Sequence, residues 1–232
     1  MKIPISKRLL ACCEYIKKGD RVADIGTDHG YLGIWLLDRE IARSVIAADI
    51  VPGPLASARK NADKFGYTEQ MEFYLSDGAQ NIPKDFDVMV CAGMGADTII
   101  SIFDASAWLH DGKYRFVLQC QSKTAQLRKY LSENGFAICN ESILRDGRFL
   151  YTVMEVQLAP ADPLTPGQWY LSPALLQNNC PELQEYYNRT VKILETATTK
   201  GATPADPSMC AALEELKALP QNPEYKHLTE DA

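Results

Sequence analysis

Three aspartates each close an apolar run: Asp24 after RVA, Asp49 after SVIAA, and Asp77 after MEFYLS. Behind the first stands a polar corner, ADIGTDHGYLG (23–33), which sets Thr27, Asp28 and His29 between Gly26 and Gly30. A fourth apolar run closes on Cys91-Ala92-Gly93-Met94-Gly95. Ionised carboxylates only accept hydrogen bonds, so they seek hydroxyls, amines and ammonium groups. Glycines at such turns let the backbone come close to a bulky ligand.

Together these residue types suit a nucleoside-type cofactor that carries positive charge. Asp49 would accept from both ribose hydroxyls, the usual role of an acid at the end of a second strand. Asp77 would accept from an adenine amine, with Ile50 and Met94 flanking the ring. Thr27, Gly78, Ala92 and Gly93 belong to the same strand ends. Asp24 decides the charge: a carboxylate there repels a pyrophosphate and attracts the ammonium of a methionine moiety. The full GxGxxG is also absent, since only Gly26 and Gly30 remain. S-adenosylmethionine is therefore expected in place of a dinucleotide. Capping of the following helix is the simpler reading of any one of these acids; three at successive strand ends weigh against it.

Such residues need a scaffold that brings strand ends together. RVADI (21–25), SVIAAD (44–49), MEFYL (71–75), FDVMVCA (86–92) and RFVLQ (115–119) read as strands, apolar enough for a parallel sheet covered on both faces. Helical spacing recurs in YLGIWLLDRE, PLASARKNADKFG, ADTIISIFDAS and KTAQLRKYLSENG. AICNESIL (137–144) and RFLYTVMEVQ (148–157) flank an Asp-Gly, a hairpin signal. Five βα units and a hairpin give an α/β, doubly wound, Rossmann-like sheet of seven strands with the last antiparallel. Ligands of such sheets sit beyond the strands' carboxyl ends, where strand order reverses.

Residues 1–18 predict an N-terminal helix with Leu9, Leu10, Cys13 and Ile16 on one side. After Ala159 comes a proline-rich junction, then helical sequence over 173–198, a break at 200–208 and a shorter helix MCAALEELKAL. The expected division is a catalytic domain at 1–159 and a helical extension at 160–232, folded as a hairpin on itself or on the core.

The 232 residues carry a net charge of −6, and 46% of them are hydrophobic. Residues 160–232 hold 5 Lys and Arg against 10 Asp and Glu, leaving the first 159 with 19 against 20. A globally basic nucleic-acid signature is absent, so such a partner needs a local patch. No 18-residue apolar run exists, and charges interrupt the N-terminal stretch, which speaks against a membrane span and a signal peptide. Seven cysteines without a CxxC pair imply neither a metal site nor a disulfide framework and fit a cytoplasmic location.

At the level of whole words, the chain resembles the bacterial tRNA (adenine-N1)-methyltransferases that modify adenine 22. The words are ISKRL (5–9), VADIGTDHGYL (22–32), GPL (53–55), SDGAQ (76–80), CAGMGA (91–96), VLQ (117–119) and RDGRFLYTVMEV (145–156). The resemblance implies S-adenosylmethionine as donor, tRNA as acceptor and, by motif match, a catalytic role for Asp28. Three positions depart from the family pattern: Ala96 for glycine, Gly33 for proline, and Leu118-Gln119-Cys120-Gln121 for LQPN. The last segment borders the expected acceptor pocket, which places Gln119, Cys120 and Gln121 there.

Methylation of adenine N1 needs no strong base, because N1 has its own lone pair; it needs alignment and stabilisation of the charge that develops on the ring. Asp28 would meet that charge and accept from the N6 amine. His29 would either orient Asp28 or serve only the fold. Expected phosphate contacts include Lys7, Arg8, Lys123, Arg145 and Arg148. Two other functions are compatible with the residues alone: a methyltransferase of small molecules or proteins, and a non-catalytic RNA-binding protein.

Overall fold

The computed structural model describes residues 2–199 and 206–229. Seven strands form one sheet: β1 (Asp20–Ile25), β2 (Ala42–Asp49), β3 (Met71–Leu75), β4 (Val88–Met94), β5 (Arg115–Cys120), β6 (Phe136–Asp146) and β7 (Phe149–Leu158). Their order is β3-β2-β1-β4-β5-β7-β6. Strands β1 to β5 pair in parallel, whereas β7 runs antiparallel to both β5 and β6. The chain moves outward from β1 to β3 and then returns to β4 on the other side of β1. Strand order therefore reverses between β1 and β4, and the crevice lies at their carboxyl ends.

The helices α2 (Tyr31–Asp38), α3 (Pro52–Phe65), α4 (Ala96–Asp104) and α5 (Thr124–Glu133) connect the parallel strands and the hairpin. Between β3 and β4, residues 76–87 form a loop without a helix, so four connecting helices stand where five βα units were expected. Gly78 and Pro83 interrupt that segment, which is too short and too polar for an amphipathic helix.

The N-terminal helix is also shorter than expected. Helix α1 covers Lys7–Cys13, with the Ser6 hydroxyl accepting from the Leu9 amide as its N-cap. Residues 14–18 turn instead, and the Lys17 amide donates to Asp20 Oδ2 at 2.7 Å. That bond ties the turn to the start of β1.

Two apolar layers cover the sheet. On one face Cys12, Leu32, Leu36 and Ala62 pack on Val22, Val45, Val90 and Val153; on the other Ile99, Phe103, Leu127 and Leu131 pack on Ala23, Ile46, Met89 and Phe116. Phe103, Phe116 and Phe136 meet there with ring centroids 4.9 to 5.6 Å apart. Alternation along each parallel strand thus sends both sets of side chains into apolar layers.

Beyond β7 come α6 (Pro166–Tyr170), α7 (Pro173–Asn178), α8 (Leu183–Thr199) and α9 (Pro207–Ala218). The helix expected over 173–198 is thus two helices. Asn179 takes the left-handed conformation at φ 46°, and Pro181 disfavours helical geometry at Cys180. The expected break at 200–208 lies mostly outside the described residues. Helices α8 and α9 share an apolar core of Leu183, Tyr187, Leu194, Ala212 and Leu216, and Ile143 of β6 joins it.

An ion pair closes the junction between the two parts. Fully buried Arg128 of α5 meets Glu141 of β6 at 2.6 Å and donates to the carbonyls of Trp169 and Tyr170 at 2.9 and 2.8 Å. Ser172, which caps α7, donates its hydroxyl to the same glutamate. Every charged atom is thereby satisfied, the condition for tolerating charge in an interior.

Candidate active site

Strand β1 ends by delivering Asp24 into the crevice. Its carboxylate is buried and accepts from the Thr27 hydroxyl at 2.7 Å. Burial raises its pKa from 3.8 to about 6, against the Thr27 hydrogen bond, and the nearby carboxylates of Asp49 and Asp28 raise it further. No cation stands beside it in the described hydrogen bonds and ion pairs. A buried anion with one protein donor has spare acceptor capacity.

The loop after Asp24 is fixed from three sides. The amides of Gly26 and Thr27 both donate to the Ala48 carbonyl, at 2.8 and 2.9 Å. The Asp28 amide donates to Asp49 Oδ2 at 3.2 Å, and Asn61 of α3 donates to the His29 carbonyl at 2.9 Å. Gly26 takes φ 73°, and a Cβ there would lie 2.4 Å from Met94 Cε. Glycine suits this point because the backbone is left-handed; Met94 Cε, the free end of a flexible side chain, could move aside.

Asp28 adopts φ 51°, a left-handed conformation that aspartate tolerates better than most residues. This turns its side chain outward, 68% exposed, with His29 beside it. His29 Nε2 lies 3.6 Å from Asp28 Oδ1, and its ring rests against Tyr31 at 5.8 Å. The two residues stand at the mouth of the crevice while Asp24 and Thr27 lie at its floor.

Asp49 closes β2 and also accepts from the Val51 amide at 2.9 Å. A carboxylate accepts about four hydrogen bonds, so two backbone donors leave room for a diol. Asp77 is exposed, and Gly78 behind it is pressed against Ile102, where a Cβ would meet Cγ1 at 2.8 Å. Ile50, Val51 and Leu75 are large apolar side chains left exposed at the ends of β2 and β3. Ile50 was legible as a ring-flanking residue; Val51 and Leu75 were not singled out, although both continue apolar runs at strand ends.

Strand β4 runs two residues further than its apolar pattern predicted. A register shift between Ala92 and Met94, with Gly93 at φ 79°, forms a bulge that pairs Met94 with Cys120. Bulges re-aim side chains beside binding sites; here the Met94 side chain comes to the Gly26 turn. Gln119 supports the bulge from β5, its Oε1 accepting from the Gly93 amide at 3.0 Å.

This hydrogen bond gives Gln119 a supporting role at the carboxyl end of β5. Its side chain and that of Cys120 are buried, and the Cys120 thiol contacts the Ser122 carbonyl at 3.0 Å. Of the three residues expected at the acceptor pocket, Gln121 alone presents its side chain to solvent. Strand alternation continues into the layer under α5, which draws Cys120 inward.

The five expected phosphate contacts differ in their engagement. Lys7 is exposed; Arg8 lies 3.7 Å from Asp146; Lys123 meets Asp97 at 2.6 Å; Arg145 pairs with Glu185; and Arg148 lies over the Phe149 ring, 5.0 Å from its centroid. None of the five has an ion pair with Asp24, Asp28 or Asp49 among the described residues. Among the described residues no group of three or more His, Cys, Asp and Glu is placed to hold a metal, and no helix is long and apolar enough to cross a membrane.

The crevice is thus acidic, with Asp24, Asp28 and Asp49 close together and an apolar rim. It can hold a cationic ligand with a diol and a flat ring, and it disfavours a pyrophosphate. Comparison with known proteins agrees. A family model described as a methyltransferase domain matches residues 5–154. The tRNA (adenine(22)-N(1))-methyltransferase of Bacillus subtilis (strain 168) is 32% identical over 167 residues, 72% of this chain and 70% of that protein. The crystal structure of the B. subtilis m1A22 tRNA methyltransferase superposes with a TM-score of 0.77 at 26% identity, covering 99% of this chain and 100% of that one. A Streptococcus pneumoniae protein crystallised with S-adenosyl-L-methionine gives 0.80 at 27% identity, over 92% of this chain and 98% of that one.

Proposed function

The chain belongs to the tRNA (adenine-22-N1)-methyltransferase family, and from that membership we propose that it transfers a methyl group from S-adenosylmethionine to N1 of adenine 22 in tRNA. The single observation that carries the reading is the buried Asp24 carboxylate, flanked by Asp49 and Asp28, at the strand-order reversal. S-adenosylmethionine supplies, when bound, an electrophilic methyl group on a sulfonium sulfur.

The chain's own residues divide the work. Asp24 binds the ammonium of the methionine moiety, and Thr27 holds the carboxylate in place. Gly26 and Gly30 keep the loop backbone close enough to the ligand, and Asp49 binds the ribose hydroxyls. Asp77, with Ile50 and Met94, holds the adenine ring of the cofactor, and the Gly93 bulge sets the position of Met94. Ala92 and Gly78 supply the backbone of these ends.

Asp28 acts on the acceptor. An adenine methylated at N1 would carry a positive charge on its ring. An exposed carboxylate at the mouth offsets that charge and accepts from the N6 amine. The target base carries N1 on its pairing edge, so it must be unpaired or flipped out before it reaches Asp28.

Asp28→Asn tests this directly, because asparagine tolerates the same left-handed backbone. The expected result is methyl transfer to unmodified tRNA lowered at least about a hundredfold, the scale of one lost electrostatic stabiliser, with S-adenosylhomocysteine affinity kept. Retained turnover sinks the catalytic role, and lost cofactor affinity reassigns the residue to the cofactor. Mapping the methylated nucleotide on the wild-type product tests position 22.

A further inference from the structure

A cleft of about 390 Å³ opens where the N-terminus of α5, the start of β7 and α8 meet. Lys123, Phe149, Tyr170, Tyr186, Arg189 and Ile193 are among its walls. Lys123 stands two residues beyond Gln121, whose side-chain amide lies beside Gly93 of the β4 bulge, so the cleft follows on from the carboxyl ends of β4 and β5.

Its surface combines flat apolar rings with cations. Phe149 is 49% exposed and Ile193 65%, both without apolar cover. Outward from the cleft the pattern continues: the Phe149 and Tyr151 rings are 5.9 Å apart, Arg148 lies 5.0 Å from the Phe149 centroid, and Arg8 lies 5.5 Å from that of Tyr151. Lys123 pairs with Asp97 at 2.6 Å and Arg8 lies 3.7 Å from Asp146, while Arg145 and Arg189 share one carboxylate, Glu185, and Arg148 has no ion pair among the described residues, which leaves cations in excess of carboxylates. Arg189 also donates to the Arg148 carbonyl at 2.9 Å, so α8 and the hairpin tip form one wall.

Stacking rings interleaved with cations is the chemistry that holds single-stranded nucleic acid, because every base has a π-face and every phosphate a charge. A cleft of this size between them suits one extruded base. We propose that it takes an unpaired nucleotide of the tRNA next to the methylated adenine, stacked on Phe149 with its phosphate between Lys123 and Arg189. This deepens the function proposed above and rests on it. It gives the acidic extension a local role in RNA binding that its overall charge conceals. A protein partner is the competing occupant; it would need apolar cover for Phe149 and Ile193 and no stacked base.

Binding of unmodified tRNA, measured by fluorescence anisotropy across a salt series, separates these readings. Phe149→Leu keeps an apolar side chain and removes the stacking face; affinity is expected to fall on the order of tenfold. Phe149→Trp restores it, which excludes a folding defect. Arg189→Gln is expected to reduce the slope of log affinity against log salt by about 1. S-adenosylhomocysteine affinity stays at the wild-type value in all three variants. Wild-type binding with Phe149→Leu within about twofold of it overturns this inference alone. Failure of the wild-type chain to bind tRNA overturns both this inference and the proposed substrate.

Discussion

Thr27 donates its hydroxyl to Asp24 Oδ2 at 2.7 Å, from a loop whose own amides are anchored on β2. The bond holds a desolvated carboxylate whose pKa stands at about 6. It lies where the free protein is ionised at pH 7.5 and largely protonated at pH 5. An ammonium ligand binds the ionised form, so affinity follows the fraction ionised. Calorimetric titration with S-adenosylhomocysteine is expected to weaken about tenfold between pH 7.5 and pH 5. In Asp24→Asn the same titration is expected to be weak and to lack this acid step.

The same group governs the stability of the free protein with the opposite sign. Its folded pKa exceeds its value of 3.8 in the absence of the fold, so protonation favours the native state. The ionised carboxylate costs the free protein on the order of 3 kcal/mol above pH 6, and the cost disappears as pH falls towards 4. Thermal unfolding at pH 8 is expected to shift upward by roughly 6–12 °C in Asp24→Asn, although cofactor binding is lost. A lower melting temperature in that variant contradicts the assignment.

Gly26→Ala tests the approach of β1 and β4. The added Cβ meets Met94 Cε in a backbone conformation at φ 73° that alanine adopts only at a cost of about 1–2 kcal/mol. Met94 Cε can swing aside, so the strain falls on the loop backbone that faces the ligand, and S-adenosylhomocysteine affinity is expected to fall by about tenfold, the equivalent of that strain, while far-ultraviolet circular dichroism is unchanged. Affinity equal to wild type refutes a close approach at this turn.

Arg128→Met leaves Glu141 buried with Ser172 as its remaining side-chain donor. Removal of one partner from a buried ion pair typically costs about 3–5 kcal/mol. The melting temperature is expected to drop by about 10 °C, and limited proteolysis is expected to open the junction between β7 and α7 first. The paired variant Arg128→Met with Glu141→Leu recovers much of the loss, because no charge is then stranded.

How far the fold and site were legible follows from which forces are local. Asp24, Asp49 and Asp77 are readable because each follows an apolar run and precedes a turn, and a parallel sheet gathers such carboxyl ends on one side. The Asp146-Gly147 turn is readable for a similar reason: Gly147 sits at φ 59° between β6 and β7. Pro181 marks the break between α7 and α8 locally, since proline disfavours helix at the residue before it.

Other features have no local signature. Nothing near Gln119 in sequence says that its amide supports the bulge at Gly93, 26 residues away. Nothing near Arg128 says that it is buried against Glu141 and the carbonyls of α6. The same holds for Arg189, which meets the hairpin tip 41 residues before it.

By itself, then, the sequence determined the sheet, its strand-end acids and the family, because periodicity and short words are properties of neighbours along the chain. The tertiary structure alone decided that Asp24 is desolvated while Asp28 is exposed, that Gln119 and Cys120 turn inward, and that α8 meets the tip of the β6–β7 hairpin. Burial and charge pairing depend on which distant segments meet, and that is settled only when the chain has folded.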